Sequence, residues 1–183
     1  MKDLAQHLPG RFGRFVQSMI RAKSAFIVAS ALIMAFTFFF VVIFRYIFKT
    51  DLFAYEEWLL PICFWMFFMG AAVGSYEDSH INADLFDNIL SNPKALWIRK
   101  VIIVGLELII TCFLVYWALL MIGDEIAAYP NWKSTIALKI PFVVPRLGIL
   151  LGFALMGFYS ALHLYVLLKV GPRLTDPTVI DSK

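Results

Sequence analysis

Apolar residues in this chain gather into long uninterrupted blocks, with polar residues confined to the connections between them. Four blocks stand out: Ser24 to Phe44, Leu59 to Tyr76, Val101 to Ile122 and about Pro141 to Leu168. A bilayer core about 30 Å thick takes about 20 apolar residues in a helix, so each block is long enough, or nearly so, to span it. The runs lack the apolar–polar alternation of a barrel strand, and in lipid only helices and closed barrels satisfy the backbone. The fourth block has length to spare for tilt. One connection carries a different pattern. Ile81, Leu85, Phe86 and Ile89 recur at helical spacing, with Asn82, Asp84, Asp87 and Asn88 between them, and Asn92-Pro93 ends the run. This predicts an amphipathic helix over about 81–91 lying in the membrane interface. The predicted fold class is thus all-α and integral to the membrane, with four transmembrane helices, one interfacial helix on the cytoplasmic side and residues 1–183 forming a single membrane domain.

Composition agrees with that pattern. Of 183 residues, 61% are hydrophobic and 16% charged, whereas soluble domains carry about a quarter charged residues. An ordinary soluble enzyme, a nucleic-acid reader and a disordered tail are excluded. The basic residues set a direction. Eleven lie before the first span, between the second and third, or after the fourth, against five in the other two connections and at the start of the last span. The positive-inside rule then places both termini in the cytoplasm, as an even number of spans requires. The first span ends in Phe44-Arg45-Tyr46 rather than in a small-residue cleavage site, and reads as a retained signal anchor. Cys63 and Cys112 sit in separate apolar blocks and read as buried thiols.

The polar residues near the spans are the candidates for specific contacts. Glu56 and Glu57 open the second span, where negative charge meets the positive end of the helix dipole, and Arg45 faces them from the end of the first. They are an interfacial cap with a charge pair, or a docking point for another subunit. The interfacial helix is acidic, unlike one held by anionic lipid alone, which favours protein against its polar face. His80 and Asp84 share a helix face at metal-ligand spacing, but a third ligand is lacking, so a structural role is favoured and no metal, haem or other cofactor is expected. Glu107 is the one charge inside the third span and a functional candidate for that reason. At 1.5 Å per residue it lies about 10 Å beyond Lys100, and His163 about 9 Å from Lys169. The two are therefore expected to hydrogen-bond across the third and fourth helices; otherwise Glu107 is protonated, or bonds a partner subunit. A proton relay usually needs a chain of such groups.

Taken in order, several motifs resemble the small membrane subunit of tripartite ATP-independent periplasmic (TRAP) transporters, the DctQ-like family. They are Phe44-Arg45-Tyr46, Tyr55-Glu56-Glu57-Trp58, Trp65 with Phe68-Met69-Gly70-Ala71-Ala72, His80-Ile81-Asn82-Ala83-Asp84, and Leu138-Lys139-Ile140-Pro141. Glu77-Asp78 departs from the basic residues common there in the family. The resemblance implies a scaffold subunit of a sodium-driven secondary transporter in the bacterial inner membrane. It would brace a large membrane subunit that imports an organic or sugar acid delivered by a periplasmic substrate-binding protein. Arg45, Glu56, Glu57, His80 and Asp84 become candidate interface or architectural positions. The expected surroundings are membrane lipid and these two proteins, with no nucleic acid and no enzymatic activity. The competing reading is a stand-alone proton-coupled transporter using Glu107.

Overall fold

The structure, a computed structural model, describes residues 10–77 and 93–171. They form four helices: α1 over Gly10–Ile43, α2 over Tyr55–Glu77, α3 over Pro93–Ala127 and α4 over Val143–Val170. All four are long and apolar enough to cross a membrane. The predicted interfacial helix at 81–91, with His80 and Asp84, lies outside the described residues, as do the chain termini.

Local chemistry sets the helix ends. α1 closes in a wide π turn over Phe44–Phe48, after which Lys49 takes a left-handed conformation and its N–H returns to the Phe44 carbonyl. Glu56 and Glu57 occupy the first turn of α2, complementing its dipole. Pro93 opens α3, a position where the missing N–H leaves no bond unmade. α4 stops at Gly171, whose positive φ of 70° suits a residue without Cβ and whose N–H caps the Leu167 carbonyl.

Helix α4 is the middle of the packing, lying along α2 on one side and α3 on the other, while α1 leans mainly on α2. Burial follows that order: 28% of the apolar stretch is buried in α2 and in α4, against 11% in α1 and in α3. The small core of Val16, Ala72, Tyr76, Tyr159 and Val166 gathers where α1 starts and where α2 and α4 end. Outside it the molecule is inverted relative to a water-soluble protein. Phe36, Phe39, Ile102, Ile109 and Phe113 are all exposed, as suits helices whose solvent is hydrocarbon.

Candidate functional site

Two polar assemblies connect the helices, one near each end of the bundle. The first collects at the end where α2 and α4 finish. Ser75 on α2 and Ser160 on α4 both donate to Glu107 Oε1 on α3, at 3.2 and 2.8 Å, and the two hydroxyls lie 3.3 Å apart. One carboxyl oxygen thus joins three helices. Three residues further along α4, His163 Nε2 donates to the Tyr76 carbonyl at 2.9 Å; since a carbonyl only accepts, the ring proton sits on Nε2. Tyr76 and Tyr159 meet edge to face at 5.4 Å, and Lys23 on α1 donates to the Tyr159 hydroxyl, bringing in the fourth helix. On the far side of α4, the Trp97 indole N–H donates to the Leu167 carbonyl at 3.0 Å.

The expected bond between Glu107 and His163 is therefore corrected: both face the helix interior, but each turns to a different partner. Depth alone paired them. Ser160 lies three residues before His163, less than one turn away, and it is the residue on the side of α4 that looks toward α3. Other hydroxyls in the spans are absorbed by their own helices: Thr37 and Thr111 donate to the carbonyls four residues back, each at 2.7 Å.

The second assembly is at the opposite end, around the connection between α3 and α4. Residues 133–142 fold back as a short hairpin, with Thr135 N–H to the Ile140 carbonyl and Phe142 N–H to the Lys133 carbonyl, both at 3.0 Å. Glu57 clasps its tip. Its two carboxylate oxygens accept the backbone N–H groups of Ala137 and Leu138 at 2.9 and 2.7 Å. The contact joins two stretches far apart in sequence, Tyr55-Glu56-Glu57-Trp58 and Leu138-Lys139-Ile140-Pro141. Ile136, at the tip, is 96% exposed. Arg45 does not face Glu57. It pairs with Asp51 at 3.4 Å within its own connection, because the π turn carries it toward the following loop, and both partners are well exposed. Glu56 is exposed at the start of α2.

Three features lay outside the sequence reading. Arg146 on α4 pairs with Glu125 on α3; the Glu125 side chain is buried and its second oxygen, Oε2, lacks a hydrogen-bond partner. Glu125 lies beyond Ile122, the expected end of the third span, so the sequence does not mark it as an intramembrane charge. Gly148 and Gly152, one turn apart on α4, receive the aromatic rings of α2. A Cβ on Gly148 would stand 3.1 Å from the Trp65 ring, and one on Gly152 only 2.5 Å from Phe68 Cβ. The Gly-x-x-x-Gly spacing was there to be read as a close-packing signal. The Trp65 indole N–H also donates to the Val144 carbonyl at 2.9 Å, tying α2 to the first turn of α4.

Among the described residues the two assemblies tie helices and the hairpin together, and no group of three or more His, Cys, Asp or Glu side chains is placed to hold a metal. The family described as "Tripartite ATP-independent periplasmic transporters, DctQ component" has a model that matches residues 33–170, which takes in the end of α1 and all of α2, α3 and α4. A search of individual curated proteins finds no match.

Proposed function

Since the chain belongs to the DctQ family of TRAP transporter components, a multi-pass membrane protein by its four apolar helices, we propose that it is the scaffold subunit of a sodium-driven uptake system. In this reading it braces a large membrane subunit, which moves an organic or sugar acid delivered by a periplasmic binding protein. It catalyses no reaction of its own. Its home is the bacterial inner membrane, with both termini and the 81–91 segment on the cytoplasmic side.

The observation that carries the reading is the contrast between inside and outside. Glu107, Ser75, Ser160, His163, Glu125 and Arg146 all bond within the bundle, whereas α1 and α3 turn broad apolar faces outward. Rigid helices with apolar flanks suit a brace that presents surface to lipid and to a neighbouring subunit. Glu57 acts as an architectural residue, holding the loop-end hairpin. Arg45 and Glu56, exposed at the same end, are positioned for contact with a protein outside the membrane, the binding protein in this reading. His80 and Asp84 keep the interface role that the family resemblance implies.

The test is a mild-detergent pull-down of the tagged chain from its native membrane, followed by mass spectrometry. A much larger polytopic protein in stoichiometric amount is the expected result. A chain recovered alone, as a stable small oligomer, overturns the scaffold role.

A further inference from the structure

Between α1, α2 and α4 runs a groove of about 350 Å³, open to the surroundings of the bundle. Met19, Lys23 and Phe26 line it from successive turns of α1, Trp65 and Met69 from successive turns of α2, and Leu155 from α4. Spacings of three and four residues put each set on one helix face, so the groove follows the helix axes for about 10 Å. Its size is that of a ligand cleft, about 300–1,000 Å³, but its lining is almost wholly apolar, and its one charged residue is Lys23.

Lys23 immediately precedes the first apolar run, which begins at Ser24, and so stands at the depth where hydrocarbon gives way to headgroups. Its side chain is buried, and its ammonium donates to the Tyr159 hydroxyl and lies 4.3 Å from that ring's centre. An ammonium has three hydrogens to donate, and among the described residues no carboxylate pairs with it. A cation with donors to spare at headgroup depth thus stands over an apolar trough leading toward Trp65, deeper in the bilayer.

We propose that this groove is a binding site for an anionic phospholipid, with one acyl chain lying along Phe26, Trp65, Met69 and Leu155 and the headgroup phosphate held by Lys23. A linear chain fits a narrow trough parallel to the helices, and the phosphate supplies the charge that the ammonium lacks. The bound lipid fills the groove between α1 and the α2–α4 pair. This inference rests on the membrane location of the helices and not on the transporter reading.

The test is native mass spectrometry of the full chain, purified in detergent, stripped of lipid and titrated with phosphatidylglycerol, phosphatidylcholine or inorganic phosphate. One phosphatidylglycerol is expected to be retained per chain, in preference to phosphatidylcholine, with no retention of phosphate alone. Lys23→Gln should weaken that retention at least about fivefold, while Lys23→Arg preserves it. Leu155→Trp, which fills the trough but leaves Lys23 in place, should weaken it as well, and provides the readout if Lys23→Gln fails to fold. Equal retention of the two lipids, retention unaffected by Lys23→Gln in a folded protein, or retention unaffected by Leu155→Trp each overturns the site.

Discussion

Against α2, helix α4 presents Gly148 and Gly152 to the rings of Trp65 and Phe68; against α3, it presents Ser160 and Arg146 to two carboxylates, Glu107 and Glu125. Hydrogen bonds cross both seams, but close packing of rings on glycines marks the first and pairing with carboxylates the second. Phe68 also meets Phe153 edge to face at 5.1 Å, so the first seam interlocks rings and bare backbone. Lipid tails are as apolar as leucine, so burying apolar surface gives helices in a bilayer little reason to associate. Close approach and polar bonds are what remain; α4 combines the two toward α2 and relies on its bonds to carboxylates toward α3. The two seams should accordingly fail by different routes: the α2 side through added volume, the α3 side through removed charge.

The largest effect is expected on the polar side. Arg146→Ala leaves the buried Glu125 carboxylate without its partner and should cost about 3 kcal/mol, read as the unfolding free energy in detergent micelles. Adding Glu125→Leu should recover most of that loss, since the uncompensated charge goes with it. If the single variant is as stable as the parent, the pair does not hold α3 to α4.

Next comes the shape side. Gly152→Val forces α4 away from Phe68, where even a Cβ would stand at 2.5 Å, and should cost about 1–3 kcal/mol. Gly152→Ala in a Phe68→Ala background should be closer to neutral, because the ring that it would strike has gone. A Gly152→Val protein with an unchanged melting temperature would mean that the seam does not depend on close approach.

The smallest effect is expected at Glu107. Glu107→Gln keeps a carbonyl oxygen for Ser75 and Ser160, and the melting shift should correspond to about 0.6 kcal/mol or less, the average for a polar contact between membrane helices. Glu107→Leu removes the acceptor and should reach up to about 1.7 kcal/mol. If Gln is as damaging as Leu, the negative charge itself is needed, and the view of Glu107 as a simple brace fails.

The four helices were legible because the length of an apolar run is a one-dimensional property that the bilayer reads directly. The direction in which each residue points is not. Depth alone places Glu107 beside α4 but points to His163 rather than Ser160, because rise along the axis carries no information about rotation around it. Proximity in sequence pairs Arg45 with the α2 carboxylates, yet the π turn gives it to Asp51. The Glu57 clasp was beyond reach for another reason. Its acceptors meet backbone amides eighty residues away, and amides are the same at every position, so nothing in the composition of the hairpin announces them.

That last feature bears on how the loop between α3 and α4 can diverge. Glu57 grips main-chain hydrogens at Ala137 and Leu138, so the grip is indifferent to the side chains around it. The tip can exchange residues such as Ile136 over evolutionary time while its shape stays fixed, provided that proline never enters at 137 or 138, where it would remove the hydrogen being held. A surface whose form is kept by one carboxylate can let its chemistry drift without losing its shape.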